Sequence, residues 1–231
     1  MTCLLFGSIE AIFFAANSLK IADGGWFPLA TGGLIFLVMT TWKKGRKVLR
    51  RSLPPSMPLD DFIASISIAG TLDEHNKLHR SQGTAVFLAG NPNGTPNALI
   101  KNIKHNQILH RQNIILTIST DPTRPHVPPA ERVELSDRTE GFFRIVASFG
   151  FMETPHIDEV IRAVGEKGLT IVRDKTTFFV GKERMIVMAK SGMSPWREHL
   201  FVFLSKHSEN AADFFQLPPD RVYEVSQVVE I

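Results

Sequence analysis

The sequence predicts an α/β protein in two parts: an N-terminal two-helix transmembrane hairpin, then a cytoplasmic α/β domain with a mixed sheet. Three observations carry this. Residues 1–42 hold only Glu10, Lys20 and Asp23 as charges. Six lysines and arginines then crowd positions 43–51. Beyond them, short β-branched runs alternate with helical stretches punctuated by proline and glycine, as in a sheet with helices packed on it. The implied boundaries are 1–42 for two transmembrane helices (about 3–19 and 26–42), 43–79 for a basic flank and proline-containing linker, and 80–231 for the α/β domain.

Composition narrows the class. The chain has 231 residues, 43% apolar and 21% charged, enough for a sizeable core and unlike a disordered, collagenous or disulfide-stapled protein. The single cysteine, Cys3, forms neither an intramolecular bridge nor a multi-cysteine zinc site. A pI near 9.1 suggests a nucleic-acid binder until the charges are sorted. Seven of the 26 basic residues but only two of the 23 acidic ones precede residue 52, so the downstream part is slightly acidic. It offers no basic face to a phosphate backbone, and no nucleic-acid partner is expected. Surplus positive charge beside an apolar segment is how a membrane protein's cytoplasmic flank looks, which makes the lipid bilayer the expected partner.

Residues 26–42 form the cleaner span: 17 residues, no charge, and a tryptophan at each end, where an amphipathic ring prefers the headgroup region. As helix they reach about 25 Å, at the short end of a bilayer crossing. Their leucine, isoleucine, valine and phenylalanine side chains contribute roughly −2 to −4 kcal/mol to insertion. A buried core helix is the alternative, and the basic run that follows argues against it. Residues 3–19 are weaker, because about −2.5 to −5 kcal/mol from the apolar side chains is largely cancelled by about 2.5–3.5 for Glu10. Such a segment inserts better against partner helices. A signal peptide competes, but the basic n-region is missing and the apolar stretch carries a carboxylate. The short gap to residue 25 ends in Gly24–Gly25, the reason to expect a hairpin. The lysine and arginine count places 43–231 in the cytoplasm and the turn outside. Two spans opening at Met1 look like the end of a longer multi-pass membrane protein.

Pro54, Pro55 and Pro58 then mark a break. Residues 59–70 read as a short amphipathic helix, by default a linker and alternatively surface-lying. Residues 83–88 are a buried strand, 97–110 a helix and 114–118 a second strand, an order that favours parallel neighbours. Residues 132–135 and 142–149, joined through Arg138–Gly141, suggest an antiparallel hairpin. Thr154–Pro155 opens a helix to about Lys167, closed by Gly168. A strand at 177–181, a helix from Ser194–Pro195 to about Ser208 and a strand at 221–229 complete the pattern.

No catalytic constellation, cofactor motif or metal site emerges, so an enzyme is not expected. His105 and His110, five apart, do not share a helical face and read as structural or solvated. Lys101, Lys104 and Arg111 read as the solvated face of the same helix, and Trp196–Arg197 as packing. The loop Gly90–Thr95 follows a strand and precedes a helix, the usual place for a phosphate. It makes Gly90, Asn93, Gly94 and Thr95 the phosphate-loop candidates. It lacks the P-loop lysine, Pro92 and Pro96 remove donors, and an ordinary turn is the plainer reading. Glu10 is the one membrane carboxylate, with a structural or coupling role open to it.

Several stretches together resemble one family. Gly24–Leu29, then Met39-Thr40-Thr41-Trp42 and Gly45-Arg46, are similar to the last membrane span of Kup-type (KUP/HAK/KT) potassium uptake proteins. Gly83–Leu88, Lys104-His105-Asn106, Leu109-His110, Gly150–Pro155, Pro218-Pro219 with Arg221-Val222, and Val229-Glu230-Ile231 resemble that family's cytoplasmic C-terminal domain. Arg80-Ser81-Gln82 departs from the family's Arg-Val-Pro. The resemblance implies a potassium:proton symporter of the bacterial inner membrane with about twelve spans, the last two being here. The family's ion-binding residues lie mostly in the other spans, so none is carried over, and this chain alone is not expected to transport. A homodimer through the cytoplasmic domain is a further expectation. The alternative is a membrane-tethered regulatory module binding a nucleotide through the loop after Leu88.

Overall fold

A computed structural model describes residues 2–19, 21–53, 56–72, 78–137, 141–186, 192–208 and 210–230. The proline pair 54–55, most of the expected hairpin turn at 138–141, and Ile231 lie outside the described residues. The chain divides into two compact units. One comprises Met1–Ser52, Val187–His207 and Ile231, the other Leu53–Ile186 and Ser208–Glu230. Residues 192–207, within the stretch expected as one domain, therefore group with the N-terminal helices.

In the first unit, α1 (Thr2–Leu19) and α2 (Trp26–Ser52) are separated by a wide turn over Ile21–Gly25. Gly24 there has φ +115°, a left-handed conformation that breaks the helix and that glycine adopts without steric cost. α2 is the one described helix long and apolar enough to cross a membrane, and α1 supplies a shorter apolar stretch, Leu5–Ser18. The helices predicted over 3–19 and 26–42 thus lie within α1 and α2, and of the two only α2 has the length and apolarity of a span. α2 also runs straight through the basic segment expected as a flank. Arg50 and Arg51 in its last turn complement the negative end of the helix dipole. The third helix of this unit, α6 (Pro195–Lys206), opens as predicted, with Ser194 at the N-cap and proline at the first helical position.

The second unit is a six-stranded mixed sheet. Its strands are β1 (His79–Leu88), β2 (Ile108–Asp121), β3 (Val133–Asp137), β4 (Phe142–Gly150), β5 (Thr176–Ile186) and β6 (Val222–Glu230), in the order β3-β4-β2-β1-β5-β6. Every neighbouring pair is parallel except β3–β4, the predicted antiparallel hairpin. Side chains alternate between faces, so each central strand feeds two cores. Val86, Ile114, Leu116, Ile145, Ala147, Phe149, Phe178 and Val180 pack with α5 (Ile157–Glu166) and Ala212 of α7 (Ala211–Phe214). Ala85, Phe87, Ile115 and Phe179 face the other way, toward α3 (Leu59–Leu72) and α4 (Asn97–Lys101). Phe87 and Phe179, opposite each other in the β1–β5 register, stack with ring centroids 4.6 Å apart.

Two helix boundaries differ from expectation. The helix predicted over 97–110 stops early: α4 passes into a wide turn over Asn102–Asn106, and Gln107 takes a left-handed φ of 55°. Leu109 and His110 consequently lie on β2, with Leu109 buried in the core. The helix expected from Thr154 starts at Ile157 instead, because the Glu153 carboxylate and N–H tie residues 150–153 into a turn just before it. Asp158 and Glu159 then occupy the first helical turn, where negative charge is favoured.

Candidate functional site

On α1, Glu10 and Asn17 stand seven residues apart and so share one helical face. Glu10 is exposed, as are the flanking Phe6, Ile9, Phe13 and Phe14. Four hydroxyl and amide groups of the apolar helices, those of Asn17, Ser18, Thr31 and Thr40, donate to carbonyls within their own helix. Asn17 bonds the Phe13 carbonyl at 3.0 Å, Ser18 that of Phe14 at 2.8 Å, and Thr31 that of Phe27 at 2.9 Å. Such back-bonding lets a polar side chain sit in hydrocarbon without an outside partner. The apolar half of α2 is bare: Trp26, Phe27, Leu29, Leu34, Ile35, Phe36 and Met39 are all exposed. An exposed apolar surface of this extent suits an apolar covering, lipid or other helices, rather than water.

Past that half, α6 packs against α2. Thr41, Gly45 and Leu49, one per turn along a single stripe, are buried. Arg197 donates to Thr40 Oγ1 at 3.0 Å, and the rings of Trp42 and Phe201 are 5.5 Å apart. Phe201 is fully buried, and a Cβ on Gly45 would clash with the edge of its ring at Cγ, Cδ2 and Cε2. The Thr41 hydroxyl and Arg197 Nε are buried there without hydrogen-bond partners among the described residues.

In the sheet unit the phosphate-loop candidates are close together, but their donors point at protein. The Asn93 N–H donates to Asn91 Oδ1 at 3.1 Å and the Gly94 N–H to the Asn91 carbonyl at 3.4 Å. The Thr95 N–H and hydroxyl both donate to the Met57 carbonyl at 2.9 Å, and Gly94 bridges to Pro58. Arg144 donates to Asn93 Oδ1 at 2.9 Å, while Gly90 is exposed at the start of the loop. These bonds pin the linker to the loop and lend no support to a phosphate cradle. Lys101 does more than face solvent, since its ammonium donates to the Ser226 carbonyl at 2.6 Å.

The best-built polar cluster was not singled out from the sequence. Arg132, with its side chain 9% exposed, lies 4.7 Å over the Phe149 ring and donates to Glu153, to Glu159 and to the Val127 carbonyl. Glu153 Oε2 also accepts the N–H groups of Gly150 and Val127 at 2.6 and 3.0 Å. Burial alone raises the Glu153 pKa. The two N–H groups, with the charges of Arg132 and His126, outweigh burial and leave it below the ordinary value. The only signal in sequence was Glu153 itself, inside the Gly150–Pro155 motif. Arg132 reads there as one more strand residue. The cluster ties the segments around Val127, Arg132 and Gly150–Glu153 to the first turn of α5, as a structural node does.

His105 is exposed in the turn after α4. His110 is half-buried on β2 at 6.1 Å from the Phe179 ring, and burial lowers its pKa. Among the described residues, no group of three His, Cys, Asp or Glu side chains could hold a metal ion.

Comparison with known proteins joins the two parts. Residues 1–47 match the family model of the K+ potassium transporter integral membrane domain, and residues 82–231 that of the K+ potassium transporter C-terminal domain. A "Probable potassium transport system protein Kup" of Myxococcus xanthus is 44% identical over 228 residues, covering 98% of this chain and 34% of the relative. A Kup 2 protein of Chromobacterium violaceum is 41% identical over 99% of this chain and 36% of its own length. A Kup 1 protein of Geobacter sulfurreducens is 40% identical over 99% and 35%. The chain thus spans about a third of the length of the curated relatives it matches. No solved structure matches it. With an apolar helix region, a mixed α/β unit and both family models matched in order along the chain, this protein belongs to the K+ potassium transporter family.

Proposed function

We propose that the chain is the C-terminal part of a multi-pass potassium:proton symporter that takes potassium into the cell across the inner membrane, with residues 43–231 in the cytoplasm. The observation that carries this is the continuous helix α2. It is uncharged up to Trp42, with large apolar side chains exposed as far as Met39, and basic immediately beyond Trp42, in a chain whose relatives are named as potassium transport proteins. The lysine and arginine bias gives the orientation. Transport needs a protein-lined site near the bilayer midplane, assembled from several helices. Two apolar helices bearing one carboxylate do not make such a site, so the chain contributes to transport only with the rest of the transporter. The same reading includes a homodimer joined through the cytoplasmic domain.

The test is growth on low potassium in a strain lacking its uptake systems. Residues 1–231 alone leave the strain unable to grow, whereas the same residues fused behind the upstream two thirds of the Myxococcus xanthus relative restore growth. Growth with the chain alone, abolished by Glu10→Ala, would make it a transporter in its own right. A well-expressed fusion that fails to restore growth removes the transport reading.

In that fusion Glu10→Gln retains uptake better than Glu10→Lys. An ammonium at this depth costs about 2.5–3.5 kcal/mol of insertion, and a neutral amide of the same shape costs less. Uptake and membrane expression lowered equally by both changes would contradict this.

A further inference from the structure

A polypeptide that merely followed the membrane helix would leave α2 bare beyond Trp42. Instead α6, which lies between β5 and α7 in sequence, belongs to the same compact unit as α2. Arg197 is opposite Thr40, while Phe201 is opposite Trp42 and Gly45. The two helices therefore advance together, turn by turn, in the same direction. At 1.5 Å per residue, the Arg197 contact sits about 3 Å to the apolar side of Trp42, the residue that closes the uncharged span. The first turn of α6 is thus level with the boundary between hydrocarbon and headgroups.

Its side chains suit that depth. Trp196 is 55% exposed, and the Arg197 guanidinium stands 5.5 Å from its ring. An exposed indole beside a guanidinium is the pairing that a headgroup layer accommodates, the ring at the apolar boundary and the cation toward phosphate. On α2 the exposed Lys43, Lys44, Lys47, Arg50 and Arg51 occupy the arc opposite the buried stripe of Thr41, Gly45 and Leu49. The cations of α2 therefore face away from α6, from about 5 to 16 Å beyond the level of the Arg197 contact. A basic arc of this kind attracts anionic lipid.

We propose that α6 is a membrane-surface helix: the turn Ser194–Arg197 seats Trp196 in the phospholipid headgroup layer on the side of the bilayer where α2 emerges. The downstream chain then returns to the membrane at a second point besides the covalent link through residues 43–79. The proposal rests on α2 crossing the bilayer. Its test uses three single-tryptophan versions of the whole chain, retaining Trp26, Trp42 or Trp196, with phenylalanine at the other two positions. Each is reconstituted in phosphatidylcholine–phosphatidylglycerol vesicles carrying lipids brominated near the top of the acyl chain.

Trp196 emission is expected to be quenched to a similar degree as that of Trp42. Trp196 unquenched while Trp26 or Trp42 is quenched overturns the proposal and leaves the span intact. All three unquenched overturns the span and the proposal together. Because Trp42→Phe touches the Phe201 contact, a second measurement leaves Trp26 and Trp42 in place. Trp196→Phe alone should remove about a third of the quenchable emission of the wild-type chain. No change in that quenchable emission overturns the proposal.

Discussion

Replacing Glu153 with alanine lowers the unfolding free energy of the sheet unit by about 3 kcal/mol, as measured by urea denaturation of the whole chain in detergent followed by far-UV circular dichroism. The deletion strands three partners. The Arg132 guanidinium loses one of its two carboxylates, and the N–H groups of Gly150 and Val127 lose their acceptor. Removing one member of a buried ion pair costs about 3–5 kcal/mol, because the remaining charge stays desolvated. The lower end applies here, since Glu159 still pairs with Arg132 and the Glu153 side chain keeps 16% exposure. A loss under about 1 kcal/mol would show that the node is dispensable.

Acid supplies an independent check. The folded-state pKa of Glu153 is lowered, so its contribution is fully present above the ordinary carboxylate range, about pH 4–5. That contribution is lost as pH falls through the folded value. Glu153→Gln removes this titration and flattens the acid limb. Asp121 is held low by Thr123 and Arg124, and Glu224 by Lys182 and Asn210. Both continue to titrate, so the difference between variant and wild type isolates Glu153.

The same residue shows what the sequence carries and what it does not. Ser194–Pro195 marks the start of α6 because capping and proline geometry are local. Gly168, with φ +90°, likewise terminates α5 as read. Thr154–Pro155 carries an equally local signal that loses. A carboxylate one residue earlier binds N–H groups from Gly150 and from Val127, 26 positions away, and holds the chain in a turn. The helical period over 97–110 fails for a related reason. Apolar residues at 108 and 109 fit a helix or the start of a strand equally well, and the left-handed Gln107 decides for the strand. The parallel pairing of β1 with β2 and the β3–β4 hairpin follow from element order, and both are present. The placement of α6 beside α2 had no precursor in pattern. It depends on contacts between residues some 150 positions apart, such as Thr40 with Arg197. The candidate loop at Gly90–Thr95 was legible as a loop, but both donors of Thr95 are committed to the distant Met57 carbonyl, which spacing does not reveal.

Replacing Gly45 with leucine loosens α6 from α2, and amide exchange in α6 speeds up roughly tenfold to a hundredfold. Gly45 is buried where the Phe201 ring presses on the backbone of α2, and small residues are what allow two helices to approach this closely. A side chain there must displace a ring that is itself fully buried, so the helices separate instead of repacking. Overpacking of this kind costs about 1–3 kcal/mol, which corresponds to the stated change in exchange. Gly45→Ala should fall between wild type and leucine. It introduces the same Cβ clash, while alanine recovers about 1 kcal/mol of helix propensity over glycine. The decisive measurement is the double-mutant cycle with Phe201→Ala. That change alone also accelerates exchange, by emptying a core position. In the Gly45→Leu background, however, it makes room for the new side chain and returns part of the lost protection. Coupling of this sign requires the two positions to share one volume. Strictly additive effects would mean that Gly45 and Phe201 do not meet in the protein, and the contact on which the placement of α6 depends would be lost.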